Sequence, residues 1–144
     1  MLSEKLNKIL ELNVTNLFIE VMKDHEADII QLNQLQMSED GTMDVENPGV
    51  QLQYAKSSVY AKQRYATYKN TDFIDLHFNG ALYAEMMCVF FQKFFEIHSL
   101  DPKWPNFIEP QERFSKALGL TDKSKEITGQ LVKEDFIKAI REAI

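Results

Sequence analysis

The chain has 144 residues, of which 44% are hydrophobic and 26% charged, and its formal net charge is −6. This length predicts one domain with its own core, and the composition excludes a disordered chain. No apolar run approaches the ~20 residues of a membrane-spanning helix. The N-terminal segment MLSEKLNKILEL lacks the apolar core and cleavage site of a secretory signal, so none is expected. The single cysteine, Cys88, is typical of a buried thiol in a reducing compartment and excludes an internal disulfide.

Charge is unevenly distributed along the sequence. Residues 1–53 carry 3 Lys or Arg against 10 Asp or Glu, whereas residues 54–70 carry 4 basic residues and no acidic one. An acidic segment beside a basic one would suit head-to-tail contacts between copies. Ordinary surface patterning would give the same distribution, and the sequence leaves both interpretations open.

Apolar residues recur at helical spacing through residues 1–36, which are predicted to form an N-terminal helical arm. Ser3 is a candidate N-cap, and Asn13-Val14-Thr15 is a weak helical segment where the run could divide into two helices. A face this long must pack on the rest of the chain or on another subunit. Its members are Leu6, Ile9, Leu10, Val14, Leu17, Phe18, Val21, Met22, His25, Ile29, Leu32 and Leu35.

Residues 37–53 are predicted to be an acidic loop, because Asp40-Gly41 and Asn47-Pro48-Gly49 are strong turn signals. Its carboxylates suggest a calcium loop, but they lack the alternate ligand spacing and the twelfth-position glutamate of an EF-hand. A solvated loop is therefore favoured over a metal site. No metal and no cofactor are expected anywhere in the chain.

The α+β core is predicted to span residues 54–144, beginning with a helix over Tyr54–Lys69. Tyrosines there alternate with Lys62, Arg64 and Lys69, a pattern that could bind nucleic-acid phosphates and stack on bases. Alternatively, the tyrosine rings pack inward while the basic side chains reach solvent or a protein partner. Because the whole chain is acidic, the second interpretation is favoured, and nucleic acid is not expected as a specific ligand.

Residues 73–103 are rich in phenylalanine and are predicted to hold a turn and a β-hairpin. Asp75-Leu76 and Asn79-Gly80 form the structural turn, since Asn and Gly tolerate positive φ. Alternating apolar residues then flank a polar break at Gln92-Lys93, and aromatic enrichment favours strands over the alternative of a buried helix. The expected cross-strand pairs are Met86 with Ser99, Cys88 with Ile97 and Phe90 with Phe95. The predicted core face is Met86, Cys88, Phe90, Phe95 and Ile97, and the opposite face is Tyr83, Glu85, Met87, Val89, Phe91, Phe94, Glu96 and His98.

The C-terminal part begins with three prolines, which predict an irregular loop over Asp101–Pro110. Trp104 and Phe107 in this loop are either its own anchors or part of an interface. A short helix from Pro110 to Gly119 is expected next. A last amphipathic helix capped by Thr121 completes the chain.

No sequence motif for catalysis is present: HExxH, CxxC, GxSxG, GxxxxGK[ST] and GxGxxG are all missing. His77 follows Asp75 by two residues, so a hydrogen-bonded pair is conceivable, but no nucleophile accompanies it. His98 near Glu96 is more often a structural pair than a catalytic one. No catalytic residue is therefore predicted, and the chain is not expected to be an enzyme.

Four short islands carry a resemblance to a known family: Ile29–Asn33 with Asp40-Gly41, Tyr60–Lys62, Asp75–Leu82 and Leu118–Thr121. In this order and spacing they resemble a small structural protein family of tailed bacteriophages, particularly the crAss-like phages of gut bacteria. Family members share an "LN–QL" helix end, a "Y–K" segment, "DLxxTGxF", a two-stranded stretch, "DxK" and "GLT"; Asp101-Pro102-Lys103 stands for "DxK". The resemblance covers residues 29–144, and Asn79 and Leu82 depart from it, where threonine and an aromatic are usual.

The resemblance implies an α+β protein in which a long N-terminal helix and further helices pack on a small antiparallel hairpin. It implies a non-enzymatic virion component that is assembled in the host cytoplasm. Such a protein would form a ring that joins the portal or head to the tail, with portal, neck or tail proteins as its other partners. Charge and exposed-aromatic arguments select Lys62, Arg64, Lys69, Trp104 and Phe107 as contacts between subunits or partners. A phage assembly chaperone or regulatory protein that is absent from the particle is the alternative, and a small nucleic-acid-binding module is a third.

Overall fold

The computed structural model describes residues 2–11 and 13–144, and the side chains of residues 2 and 9–11 lie outside that description. The fold is α+β, as expected, with helices packed on a two-stranded antiparallel sheet. The elements are α1 (Leu2–Glu11), α2 (Val14–Asp24), α3 (Glu26–Ser38), α4 (Lys56–Tyr65), α5 (Ala81–Ala84), β1 (Met86–Phe90), β2 (Phe95–Ser99), a π-helical turn (Trp104–Ile108), a 3-10 turn (Glu112–Phe114) and α6 (Asp122–Ala143).

The N-terminal apolar stripe forms three consecutive helices. The predicted division at Asn13 is confirmed, because its side-chain Oδ1 caps α2 by accepting the backbone N–H of Asn16 at 3.1 Å. The second division, at His25, was not predicted, since the helical spacing of apolar residues continues through it. Helix α1 already includes Ser3, so the predicted N-cap there is wrong. The predicted stripe positions Ile9 and Leu10 lie outside the described side chains. Helix α2 packs on α6, and α3 packs on β1 and α6.

The hairpin pairs in the predicted register, with Phe90 opposite Phe95. The polar break at Gln92-Lys93 is its loop, which the N–H of Phe91 closes by donating to the carbonyl of Phe94 at 2.8 Å. The buried-helix alternative is therefore wrong for β1 and β2. Ahead of β1, however, residues 81–84 form one helical turn, so the expected alternation begins only at Met86.

That helical turn corrects the predicted position of Tyr83. Asn79 Oδ1 accepts the N–H of Ala81 at 3.0 Å, and Gly80 has a φ of 88°, a conformation that favours glycine. Together they turn the chain into α5 rather than directly into a strand. Tyr83 consequently leaves the hairpin and is buried near Ile74.

The core consists of two apolar clusters that share a contact with Leu118. In the first cluster the loops and turns meet, and its buried members are Met37, Met43, Ile74, Leu82, Tyr83, Trp104, Phe114 and Ala117. The second joins the hairpin to α3. There, Met86, Cys88 and Ile97 are buried with Ile29 and Leu120, and Phe90 and Phe95 pack against them while partly buried.

The acidic loop is attached to the core rather than freely solvated. Thr42 pairs with Gln51 as an isolated β-bridge, and Met43 is buried in the first cluster. Gly41 has a φ of 67°, and a Cβ there would lie 2.6 Å from the ring of Phe73, so only glycine fits. The loop holds its shape because its turn residues close it and one methionine anchors it.

The proline-rich segment is more regular than predicted. Glu109 donates its N–H to the carbonyl of Trp104 at 2.8 Å, which closes a π-helical turn instead of an irregular loop. Pro105 is tolerated because it lies at the start of this turn, where a backbone N–H needs no partner in the turn. The short helix expected from Pro110 to Gly119 is reduced to a 3-10 turn.

Two amides of α3 hold the loop that precedes α6. Asn33 donates to the carbonyl of Ala117 and accepts from the N–H of Gly119, both at 3.0 Å. Gln36 donates to the carbonyl of Gly119 and accepts from the N–H of Thr121, again both at 3.0 Å. Both amides are buried. Thr121 then caps α6 as predicted, its Oγ1 accepting the N–H of Ser124.

Candidate functional site

Asp75 is the centre of a buried polar network beneath the predicted structural turn. Its Oδ1 accepts from Lys62 Nζ at 2.6 Å, from Tyr54 Oη at 2.8 Å and from the backbone N–H of His77 at 3.0 Å. Its Oδ2 accepts from Asn70 Nδ2 at 3.3 Å. The expected pair between Asp75 and His77 therefore forms through the backbone of His77 and not through its ring.

Lys62 and Asp75 form a desolvated ion pair, since each is only 2% exposed. A buried carboxylate is tolerated only when an opposite charge and hydrogen bonds compensate its lost hydration. Here four donors surround one carboxylate, so the pair is satisfied. Lys62 comes from α4 and Asp75 from the turn, so the pair joins these two parts of the chain.

The hydroxyl of Tyr54 has all its hydrogen-bonding capacity in use. It donates to Asp75 Oδ1 and accepts from Lys62 Nζ at 3.2 Å and from the backbone N–H of Asp75 at 3.3 Å. Tyr83 closes the other side by donating to the carbonyl of Asp75 at 2.6 Å. Burial raises the pKa of both phenols well above the usual tyrosine value. These bonds also hold Leu76, the residue after Asp75, at a φ of 55°.

A three-ring stack covers this network. The ring of His77 lies between Tyr68, at a centroid distance of 3.5 Å, and Tyr83, at 3.9 Å, with interplanar angles of 17° and 4°. Burial lowers the pKa of His77, and the nearby Lys62 lowers it further, although the Asp75 carboxylate opposes both. The imidazole is therefore held neutral, as suits a ring packed between two aromatic faces. Gly80 lies against the ring of Tyr68, where a Cβ would approach to 3.1 Å.

A cavity of about 270 Å³ opens beside the stack. Ser58 and His77 both line it, as does Asp101. No hydrogen bond in the described chain joins Ser58 to His77, so a serine activated by a base is not formed. Asp101 instead accepts the backbone N–H of Lys103 at 3.1 Å.

The hairpin tip exposes a pair of aromatic rings. Phe91 and Phe94 flank the loop and stack on each other with a centroid distance of 4.7 Å and an interplanar angle of 23°. They remain 42% and 57% exposed. The tip borders a broad concave surface of about 860 Å³ whose other walls include Phe18 and Met22 of α2. A stacked pair of exposed phenylalanines beside a concavity is typical of a protein-binding surface.

A second exposed aromatic group lies on α4. Tyr60 and Tyr65 are 59% and 69% exposed. Arg64 lies between them, with its guanidinium carbon 5.8 Å and 5.9 Å from the two ring centroids and its Nη1 donating to Tyr60 Oη at 3.1 Å. We call Tyr60, Arg64 and Tyr65 the α4 face. No carboxylate in the part of the chain that the structure describes pairs with this arginine.

A concave acidic surface lies on α6. Its volume is about 580 Å³, and we call it the α6 hollow; it is lined by His25, Glu126, Ile127, Gln130, Leu131, Glu134 and Asp135. His25 hydrogen-bonds Asp28 at 2.9 Å and Asp135 at 2.7 Å. The bond to Asp28, with support from Asp135, raises the pKa of His25 although burial opposes it.

The predicted contact residues separate into buried and exposed ones. Lys62 is paired inside the protein and Trp104 is buried in the first cluster, so neither is available to a partner, contrary to prediction. The indole N–H of Trp104 has no acceptor among the described residues. Arg64 and Phe107 are exposed, and Lys69 caps α4 by donating to the carbonyl of Ala66 at 2.8 Å.

The expected inward packing of the tyrosines on α4 is also wrong for the α4 face. Lys62 points inward because it donates hydrogen bonds to Asp75 and Tyr54, whereas Tyr60 and Tyr65 are exposed to solvent. The expected pair between His98 and Glu96 is confirmed at 2.8 Å, and it is exposed.

Sequence reasoning did not find the network itself. Tyr54, Asn70 and Asp75 lie in irregular segments, where no periodicity indicates which side chain points inward. The sequence offered one local signal, a helical lysine, Lys62, followed by the Asp75-Leu76 turn. If the turn is buried, its aspartate needs a positive charge beside it. Such a signal becomes specific only when the three-dimensional contacts are known.

Two further properties of the described residues bear on function. They include no group of three or more His, Cys, Asp or Glu side chains placed to hold a metal ion. Within residues 2–11 and 13–144, no helix combines the length and the apolarity that a bilayer crossing requires. Comparison with protein-family models, with curated proteins and with solved structures finds no match to this chain.

Proposed function

We propose that this chain is a non-enzymatic structural subunit of a tailed bacteriophage particle, a neck or tail protein that forms a ring between portal and tail. The observation that carries the proposal is the exposed aromatic tip, Phe91 and Phe94, beside its broad concave surface. The sequence resemblance to phage structural proteins is the reason for proposing a tailed-phage particle. The tip supplies a physical reason to assemble.

The energetics of the tip favour assembly through many weak contacts. Fully burying a phenylalanine contributes about 1.5–3 kcal/mol, and both rings are already about half buried, so a partner would gain on the order of 1 kcal/mol from each. A single such contact is too weak to hold two proteins together. In a closed ring every copy would present its tip to the adjoining portal or tail protein, and these contacts would add up around the circle.

The buried network supports the non-enzymatic part of the proposal. Lys62, Asp75 and Tyr54 bond to one another. A catalytic group must present its reactive atom to a substrate, whereas the polar atoms of these side chains are bonded to one another. Their role is to fix α4 against the turn.

The direct test is quantitative mass spectrometry of purified particles from the source phage. We expect on the order of six or twelve copies per particle, as closed rings commonly have. Absence from intact particles would contradict the proposal and favour an assembly chaperone or regulatory protein instead.

A second test perturbs the tip in the phage itself. The double substitution Phe91→Ser and Phe94→Ser should lower the copy number per particle at least several-fold. The matched control is Val50→Ser with Leu100→Ser, which removes two exposed apolar side chains outside the tip. Equal incorporation of tip variant and control would show that the tip is not an assembly surface.

A further inference from the structure

We propose that the α4 face (Tyr60, Arg64, Tyr65) of one copy docks into the α6 hollow of a second copy. This inference rests on the proposed function, because it assigns the contact between neighbouring subunits of the ring. Each of the two surfaces is exposed in the single chain and would be covered by the other surface of a neighbouring copy. The argument comes from their charge and from the chemistry of their side chains.

The α4 face is cationic and aromatic. The only basic residue of the segment that is neutralised inside the protein is Lys62, which leaves Lys56, Arg64 and Lys69 at the surface with no acidic residue between positions 54 and 70. Arg64 is already held between two tyrosine rings. Because its planar head is pre-oriented, it loses less conformational freedom on binding a carboxylate.

The α6 hollow has the opposite character. Glu126, Glu134 and Asp135 line it, and the described lining contains no lysine or arginine. Glu126 and Glu134 have no ion-pair partner in the described chain, while Asp135 is engaged by His25. Ile127 and Leu131 are large exposed aliphatic residues in the same lining.

The two surfaces complement each other group by group. Arg64 would pair with Glu134 in a bidentate geometry, which is the strongest form of surface ion pair. The rings of Tyr60 and Tyr65 would cover Ile127 and Leu131. Tyrosine and arginine are also the residues most enriched among those that dominate binding energy at interfaces.

The arrangement is directional, as a ring requires. The α4 face and the α6 hollow share no residue and lie on different helices. A contact between two different surfaces repeats from one copy to the next and closes into a ring when the rotation permits. A contact of each surface with itself would give only a dimer, and it would place like charges opposite each other.

The test is a charge swap, read by sedimentation velocity of the purified full chain over a range of concentrations. Arg64→Glu and Glu134→Arg should each raise the dissociation constant between copies about tenfold or more. The double variant should return to within about threefold of the unmodified chain, because the pair is re-formed with its charges exchanged. Lys103→Glu, an exposed reversal outside both surfaces, is the control and should change nothing.

Several outcomes would overturn the inference. Self-association that Arg64→Glu leaves unchanged would exclude the α4 face, and two weakened single variants without recovery in the double would show that the surfaces do not meet. A chain that stays monomeric at about 0.1 mM but is stoichiometric in particles would refute this contact and leave the proposed function standing.

Nucleic-acid binding by the α4 face is tested with a fluorescein-labelled, 20-nucleotide single-stranded DNA. If it binds at low salt, and Arg64→Glu abolishes that binding but leaves self-association intact, the α4 face is a nucleic-acid surface.

Discussion

Replacing Lys62 by methionine is expected to destabilise the fold by about 3 kcal/mol. Methionine keeps most of the aliphatic stem but removes the ammonium that lies 2.6 Å from Asp75 Oδ1. Breaking a buried ion pair on one side costs about 3–5 kcal/mol, because the remaining charge stays buried without compensation. Asp75 retains three donors, from Tyr54, His77 and Asn70, so we expect the lower end of that range.

Urea unfolding followed by far-UV circular dichroism measures this cost. The matched control is Lys56→Met on the same helix, where the lysine is exposed and the change should stay within about 0.5 kcal/mol. For a chain of this size, a loss of 3 kcal/mol lowers the melting temperature by about 10 °C. If Lys62→Met and Lys56→Met unfold at the same urea concentration with the same slope, the reasoning about a buried charge pair is refuted.

A double-mutant cycle isolates the interaction from the loss of packing. Asp75→Asn alone removes the negative charge that compensates the ammonium of Lys62, whose other side-chain partner is Tyr54 Oη. Combining it with Lys62→Met removes both charges, so the double variant should be much less destabilised than the two single costs added together. Strict additivity would mean that the two groups do not interact.

Three further predictions follow from the buried groups and the turns. The bonded carboxylates raise the pKa of His25 above the 6.5 of an unperturbed histidine. The contribution of His25 to stability is therefore full below about pH 6.5 and is lost as the pH rises through the folded-state pKa. Between pH 5.5 and 8, the urea midpoint should fall more in the wild type than in His25→Gln. Gly41→Ala should cost about 2 kcal/mol, because φ is positive and the new Cβ would meet Phe73, whereas Gly49→Ala, with open space around it, should be near neutral in the same urea assay. Burial raises the pKa of Cys88 to about 12, so a thiol reagent should label the folded chain only as fast as the chain opens, and rapid labelling in native buffer would contradict its buried position.

The parts of the fold that sequence predicted are those with a local physical signal. The hairpin register follows from alternating apolar residues around Gln92-Lys93, since a slip of one residue would turn Cys88 and Ile97 toward solvent. The cap of α6 follows from Thr121 ahead of an amphipathic run. Each of these depends on neighbours within a few positions of the chain.

The parts that sequence missed depend on distant partners. The burial of Lys62 is decided by Asp75, thirteen residues away across an irregular segment, and by the hydroxyl of Tyr54. The break at His25 likewise lies at a residue with a distant partner, since its ring reaches Asp135 on α6. For the candidate interaction surfaces, sequence identified Arg64 on α4 but not the α6 hollow, whose residues are separated by a hundred positions.

The two amides of α3 should make the backbone hydrogens of the loop before α6 unusually slow to exchange with solvent. Loop N–H groups normally exchange their hydrogens with solvent quickly, but those of Gly119 and Thr121 donate to buried side chains of Asn33 and Gln36. To release either hydrogen, the loop must separate from α3, and this would withdraw Leu118 and Leu120 from the apolar clusters in which they pack. In deuterated solvent these loop positions should therefore exchange as slowly as the hairpin, and they would report when the whole molecule comes apart.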